Sequence, residues 1–227
     1  EPERQPEFGD YAGMFRDLLA TGELAFSIEV FDLTHEQFPH SLEACDAWLF
    51  TGSKWSVYDP DPWIGRAQEL VRALDADRRP TVGICFGHQL VAQALGGRVE
   101  KARVGWGVGV HTAHILEQRP WMLPVRTDLS LLVSHQDQVV EPPQGARRLA
   151  GHDFCPFDML EIGNHILTFQ GHPEFPRGYA RATIEDRREV LGDATFKAAM
   201  ASLANEIEPR VAAAWIDNFV GQALRTA

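Results

Sequence analysis

Residues 81–89 read TVGICFGHQ, and this stretch predicts a buried strand that turns directly into a helix. Its first four residues form a β-branched, apolar run, and HQLVAQAL at 88–95 has helical periodicity. Cys85 stands at the junction, between Gly83 and Gly87. Small residues on both sides relieve the crowding of a sharp bend, so the pattern predicts a nucleophile elbow that lifts the Cys85 side chain clear of the sheet.

The same alternation of short apolar runs and amphipathic helices extends along the chain. Helical spacing predicts helices at 11–20 and 62–74, and apolar runs predict strands at 24–31 and 46–50. Residues 98–169 consist mainly of strand-like segments separated by Pro, Gly and Asp. We therefore expect an α/β fold: a three-layer, flavodoxin-like, mostly parallel central sheet flanked by helices, with a small antiparallel excursion.

The C-terminal part of the chain is predicted to be helical. Helices are expected at 194–207 and at 209–224, the second of which opens with a proline in its first turn. The mixed-charge run EDRRE at 185–189 is typical of a solvated helix face. We expect residues 1–178 to form the main domain and residues 179–227 to form a helical extension packed on it.

Composition limits the partners and the compartment. With 32 acidic and 21 basic side chains the net charge is -11, which disfavours nucleic acid and anionic membrane surfaces as partners. Three cysteines without a CxxC pair indicate neither a disulfide framework nor a zinc site, and they favour a reducing cytoplasm. No apolar run approaches a membrane span or a secretory signal. The first residue is not methionine, so we expect that the sequence is trimmed.

A second chemical signal lies at 169–175, FQGHPEF, where an apolar strand is followed by His172 and Glu174. A histidine with a carboxylate behind it activates a thiol, because the imidazole takes the proton and the carboxylate fixes its tautomer and orientation. The structural alternatives are that Cys85 is a small buried residue and that the 169–175 loop faces water. His111 and His114 make a poor chelate on a strand, and we expect neither a metal nor another cofactor.

GICFGHQ, followed later by QGHPE, resembles the class I glutamine amidotransferase domain. The resemblance implies that Cys85 is the nucleophile, His172 the base and Glu174 the residue that orients the base. LFTGS at 49–53 is similar to the family's oxyanion loop, and LVSHQDQV at 132–139 resembles its SHxD substrate loop. The resemblance implies that residues 1–178, the main domain predicted above, form a class I glutamine amidotransferase-like domain.

The resemblance also implies roles for five further residues. Gly52 and Phe86 would supply the oxyanion-hole amides, and Gln89 would touch the bound γ-glutamyl group. Ser134 and His135 would bind its amino-acid end, mainly through backbone.

Two other assignments in these motifs remain open. His135 and Asp137 either form a second acid–base pair or belong to a turn whose backbone binds the substrate, and we favour the turn. His88 lies beside the elbow but heads into the helix, so it is expected to pack or cap rather than act as the base.

The sequence departs from the family pattern at three places. Gln136 replaces the glycine of SHGD. Residues 52–54 read GSK where GGP or GSP is usual, and the bulky Trp55 and Tyr58 follow. These changes affect the width of the pocket. The family begins with a strand before its first helix and none precedes Tyr11, so we expect that the sequence is cut short.

The predicted reaction is cysteine-dependent hydrolysis of a γ-glutamyl amide or γ-glutamyl peptide bond through a thioester. The sequence contains no P-loop, so the chain would act alone or with a partner. One alternative is a glutaminase subunit that delivers ammonia to a separate synthetase. Another is a catalytically inactive binding or scaffold protein of the same fold. The expected partners are a small γ-glutamyl substrate and, in the first alternative, that synthetase, and a homodimer is compatible with the sequence.

Overall fold

The structure, a computed structural model, describes residues 5–20, 22 and 24–225, which form seven α-helices and nine β-strands. The helices are α1 (Gln5–Phe8), α2 (Tyr11–Leu19), α3 (Pro62–Ala76), α4 (Phe86–Ala94), α5 (Arg177–Asp186), α6 (Arg188–Ser202) and α7 (Pro209–Leu224). The strands are β1 (Trp48–Phe50), β2 (Thr81–Ile84), β3 (Arg98–Lys101), β4 (Gly107–Ile115), β5 (Asp128–His135), β6 (Asp137–Glu141), β7 (Arg147–Gly151), β8 (Met159–Ile162) and β9 (Ile166–Phe169).

The central sheet has seven strands in the order β1-β2-β9-β8-β7-β4-β5. The β1–β2 and β2–β9 pairs are parallel, and the four remaining pairs are antiparallel. Five strands, β1, β2, β9, β7 and β5, consequently point one way, and β8 and β4 point the other way. The expected mostly parallel sheet is confirmed in that five of its seven strands run in the same direction. The small antiparallel excursion is the separate pair β3 and β6.

Two helical layers cover the sheet, as the three-layer prediction requires. All four residues of β2 and of β9 are buried, which is typical of central strands covered on both faces. On one face, Val82 and Phe169 share a core with Phe15 of α2 and Trp215 of α7. On the other face, α3 and α4 pack over the sheet through a second apolar cluster.

The C-terminal helices are integrated into the same core. Trp215 and Phe219 of α7 are fully buried among the sheet residues. Helix α6 crosses β4 closely at Gly109, and Ser202 accepts a hydrogen bond from the N–H of Val110 at 3.0 Å. Helix α5 begins at Arg177 and therefore spans the predicted domain boundary at 178, which stays a prediction.

Two local predictions are wrong. Residues 24–31 do not form a strand, although their alternation is real: Leu24, Phe26 and Ile28 pack partly buried against the core. A strand needs a neighbour to pair with, and the sheet edge β1 pairs only with β2 among the described residues. The 185–189 run is not one helix face, because α5 ends at Asp186 and α6 begins at Arg188.

The C-terminal helix predictions are otherwise confirmed: Gly192, at φ 71° and ψ 160°, breaks α6, so its main part begins close to the predicted residue 194, although it ends earlier than predicted, at Ser202. Within residues 5–20, 22 and 24–225, none of the helices combines the length and apolar character needed to cross a bilayer.

Candidate active site

The site forms where three parallel strands end side by side. In the register of β1, β2 and β9, Phe50 lies opposite Gly83 and Ile84 lies opposite Phe169. The carboxyl ends of these strands therefore meet at one edge of the sheet, and the residues that follow them emerge together. This arrangement brings Gly52, Cys85 and His172 into one place although they are distant in sequence.

Cys85 lies in a sharp bend between β2 and α4. Its backbone has φ 52° and ψ -101°, a conformation that costs a non-glycine residue free energy. A Cβ at Gly83 would lie 2.7 Å from the carbonyl oxygen of Gly87, and a Cβ at Gly87 would overlap the carbonyl oxygen of Phe50. Both positions accept only glycine, so the predicted elbow is present and the two glycines have the predicted steric reason.

The imidazole of His172 is fixed on three sides. Its Nδ1 hydrogen bonds to Oε1 of Glu174 at 2.7 Å, and the ring stacks on Phe175 with centroids 3.8 Å apart. A Cβ at Gly52 would lie 2.7 Å from Cε1 of His172 and 3.7 Å from Cβ of Cys85, so the imidazole packs directly against the Gly52 backbone. Cys85 and His172 therefore lie side by side at this backbone, close enough to interact electrostatically.

The environment of His172 favours its charged form. The ring is 3% exposed, and burial opposes its charge. Electrostatic attraction to Glu174 and to Cys85, with the hydrogen bond to Glu174, more than offsets the burial and raises the pKa of His172 to about 10. At neutral pH the residue is therefore an imidazolium that can donate a proton.

Two backbone amides lie close to this group of side chains along the chain or in space. Phe86 is the first residue of α4, where the N–H groups have no intrahelical partner, and Gly52 follows the end of β1. In the part of the chain that the structure describes, neither N–H donates a hydrogen bond to another protein group. Both are available to an oxyanion, as the predicted role requires. The role itself stays a prediction.

The predicted substrate residues Gln89 and His135 converge on one backbone carbonyl. Nε2 of Gln89 donates to the carbonyl oxygen of Asp137 at 2.8 Å and to Oε1 of Gln170 at 3.0 Å. Nδ1 of His135 donates to the same Asp137 oxygen at 3.1 Å. Burial lowers the pKa of His135 to about 3, so its ring is neutral. Both side chains lie beside the candidate site, and their contacts with substrate stay predictions.

Ser134 has a partner that sequence reasoning missed. Nη1 of Arg187 donates to Oγ of Ser134, and the guanidinium carbon lies 5.2 Å from the ring centroid of Trp106. Arg187 belongs to the mixed-charge run EDRRE at 185–189, a pattern typical of a solvated helix face. The break between α5 and α6 turns this side chain toward the end of β5.

His88 is a packing residue, as expected. It is fully buried, its Nδ1 lies 2.7 Å from Oγ1 of Thr168, and burial lowers its pKa to about 4. Among the described residues, no group of three or more His, Cys, Asp or Glu side chains is arranged to bind a metal ion.

Comparison with known proteins agrees with this geometry. The chain is 30% identical over 174 residues to γ-glutamyl peptidase 3 of Arabidopsis thaliana, covering 73% of this chain and 70% of the relative. It is 30% identical over 165 residues to one of the subunits of the glutamine-hydrolysing GMP synthase of Sulfolobus acidocaldarius, covering 72% of this chain and 86% of that relative.

A crystal structure of a glutamine amidotransferase from Thermotoga maritima shares the fold. Its TM-score is 0.76 at 19% identity, over 96% of this chain and 94% of that one. The family model for class-I glutamine amidotransferases matches residues 15–188. The chain belongs to the class-I glutamine amidotransferase family.

Proposed function

We propose that this protein hydrolyses a γ-glutamyl amide or γ-glutamyl peptide bond through a thioester on Cys85. One observation supports the proposal above all: the strained bend places Cys85 beside the buried imidazole of His172, which in turn hydrogen bonds to Glu174. A thiol, an imidazole and a carboxylate in this order form the arrangement that activates a cysteine nucleophile.

The first half of the reaction forms the thioester. Because His172 holds the proton, the Cys85 sulfur attacks the γ-carbonyl carbon as the thiolate, and the oxyanion that develops accepts hydrogen bonds from the N–H groups of Gly52 and Phe86. His172 starts protonated because its pKa is raised to about 10, and it gives that proton to the leaving nitrogen. The C–N bond breaks, ammonia or an amine departs, and the γ-glutamyl group remains on sulfur.

The second half clears the thioester. The imidazole, now neutral, takes a proton from a water molecule, whose oxygen attacks the thioester carbon. The C–S bond breaks, glutamate leaves and the sulfur takes back the electron pair. Glu174 orients the ring throughout and stabilises the imidazolium each time it forms.

The charge beside the site supports a γ-glutamyl substrate. The Arg187 guanidinium hydrogen bonds to Ser134, in the segment where we expect the amino-acid end of the substrate. Guanidinium groups pair well with carboxylates, so this cation suits the free α-carboxylate of glutamine and of γ-glutamyl peptides. The similarity to γ-glutamyl peptidases points the same way.

The similarity to a GMP synthase subunit favours one alternative, a glutaminase that passes ammonia to a separate synthetase. Free glutamine would then be turned over slowly until that partner is added. The inactive scaffold remains a third reading, with the C-terminal helices as its interface. The three cysteines are unpaired, which supports a reducing compartment such as the cytoplasm.

The deciding experiment is an assay of the purified chain on glutamine and on several γ-glutamyl peptides, with ammonia and amine release measured separately. Cys85→Ala should abolish turnover, His172→Asn should nearly do so, and Glu174→Gln should leave a measurable remnant. Cys45→Ala, at a cysteine outside the site, is the matched control and should keep full activity.

Full hydrolysis by Cys85→Ala would refute the mechanism. Alkylation separates the scaffold reading: an enzyme predicts fast, pH-dependent reaction of Cys85 with iodoacetamide, and a scaffold predicts the slow reaction of an ordinary buried thiol.

A further inference from the structure

Asp137 is a junction between parts of the site that are far apart in sequence. Its carboxylate accepts hydrogen bonds from Oγ of Ser56 at 2.5 Å and from the hydroxyl of Tyr58 at 3.0 Å. Its backbone carbonyl accepts the bonds from Gln89 and His135 described above. One residue therefore binds four side chains from three segments.

These segments carry residues that are predicted to act in the candidate site. Ser56 and Tyr58 belong to residues 52–59, here called the Gly52 loop, which begins with a predicted oxyanion amide. Asp137 ends residues 134–137, here called the Ser134 loop, where the amino-acid end of the substrate is expected. Gln89 lies in the first turn of α4, directly after Cys85. The carboxylate of Asp137 thus ties the Gly52 loop to the Ser134 loop.

The Gly52 loop is also anchored on its far side. Trp55 packs edge-on against Trp63 with centroids 5.5 Å apart, and Trp63 packs against Phe86 at 5.5 Å. Val57 is buried, and its carbonyl oxygen accepts a hydrogen bond from Gln68 at 2.9 Å. These contacts fix the loop against α3 and α4, whereas Ser56 and Tyr58 fix it against the Ser134 loop.

The geometry does not fit an acid–base pair of His135 and Asp137. Burial keeps the His135 ring neutral, and its Nδ1–H points to the backbone carbonyl of Asp137. The Asp137 carboxylate instead faces the hydroxyls of Ser56 and Tyr58. Its partners are thus groups that set loop position and carry no catalytic proton.

We propose that Asp137 is a positioning residue whose carboxylate, by bonding Ser56 and Tyr58, fixes the Gly52 loop so that the Gly52 amide meets the oxyanion. The proposal rests on the proposed function for its catalytic consequence. The bond between the two loops has a structural consequence that is measurable without turnover.

The first test is the kinetics of Asp137→Ala. We choose alanine and not asparagine, because an asparagine side chain could still hydrogen bond to the hydroxyls of Ser56 and Tyr58. An amide that contacts only the transition-state oxyanion contributes to kcat and not to substrate binding, so kcat should fall at least about tenfold while KM changes less than about threefold. Asp61→Ala, at a carboxylate that makes no cap hydrogen bond, is the matched control and should change neither. A raised KM with unchanged kcat would mean that the carboxylate binds substrate itself and would overturn the proposal.

The second test approaches the same bonds from the other side and leaves residue 137 intact. The double variant Ser56→Ala/Tyr58→Phe should reproduce the loss of kcat. Adding Asp137→Ala should then cause less than about a twofold further loss, because the bonds are already gone. If the triple variant instead lost the product of the two separate losses in kcat, the proposal would be overturned. Melting temperatures of all variants identify any that fail to fold.

The third test needs no turnover. Amide hydrogen exchange of a peptide covering residues 53–59 should become at least about tenfold faster in Asp137→Ala, and exchange in β2 should stay unchanged. Unchanged exchange at 53–59 would overturn the proposal. If wild-type protein hydrolyses no γ-glutamyl substrate, the proposed function fails, and this measurement still decides whether Asp137 fixes the loop.

Discussion

The backbone N–H of Cys85 donates a 2.8 Å hydrogen bond to the carbonyl oxygen of Phe169. This bond continues the parallel pairing of β2 and β9 by one residue beyond the end of β2, so the chain after Phe169 runs alongside the elbow. The N–H of His172 then bonds to the carbonyl oxygen of Leu132 at 2.8 Å, which ties the loop to β5. Two backbone bonds therefore set where the imidazole stands relative to the sulfur.

Gly52→Ala should impair catalysis far more than stability. The new Cβ would lie 2.7 Å from Cε1 of His172, so the imidazole must shift. A misplacement of about 1 Å costs roughly a hundredfold in rate, so we expect kcat to fall by about that factor. The matched control is Gly65→Ala, on an exposed helical position with open space around it, which should keep full activity and gain up to about 1 kcal/mol of stability. Equal kcat values for the two variants would contradict the packing of His172 on Gly52.

The pH profile should show an alkaline limit set by His172. Because the pKa of His172 is raised to about 10, the imidazole keeps its proton below that pH and loses it above. The value of kcat/KM should therefore fall as the pH rises through about 10. Folding stability should lose the same contribution between the usual value of 6.5 and about 10, because the unfolded chain has already released this proton.

Glu174→Gln removes one of the charges that raise the pKa of His172, so the alkaline limb should move to lower pH. The measurement is kcat/KM against pH for both proteins. An alkaline limb that stays in place in Glu174→Gln would show that His172 does not set it.

Cys85→Gly should be at least as stable as Cys85→Ala. At an ordinary helical position glycine costs about 1 kcal/mol relative to alanine, but at φ 52° and ψ -101° the alanine is strained and the glycine is not. Both variants lack the thiol, so denaturant unfolding of this inactive pair isolates the backbone conformation. A Cys85→Ala protein more stable by the usual helical difference would mean that the bend stores no strain.

Arg187→Ala should weaken substrate binding and spare the chemical step. A hydrogen bond to a charged group contributes roughly 1.5 to 3 kcal/mol, so KM should rise about tenfold to a hundredfold, with a smaller change in kcat. An analogue with an α-carboxamide should be a poor substrate for wild type and should lose this disadvantage in the variant.

Arg188→Ala is the control for this prediction, because Arg188 packs over Phe196 and pairs with Asp193 instead. An unchanged preference for the α-carboxylate in Arg187→Ala would remove Arg187 from substrate recognition.

Local patterns in the sequence were sufficient for the elbow and for the strands around it. The apolar run of β2, the flanking glycines and the helical period of α4 all act between near neighbours, so they are visible without coordinates. The same reasoning wrongly predicted a strand at 24–31. The alternation there did identify the side chains that pack against the core, but not the backbone pairing. Pairing depends on whether a strand is available next to the segment, and the sequence of the segment does not contain that information.

The sequence by itself predicted the chemical groups of the proposed site, Cys85, His172 and Glu174, and determined the elements that present them. The tertiary structure decided which distant side chains meet: Arg187 with Ser134, and Asp137 with Ser56 across 81 residues of chain. The physical reason is range, because backbone propensity and apolar period act over a few residues, whereas these contacts depend on strand order and on where each loop leaves the sheet.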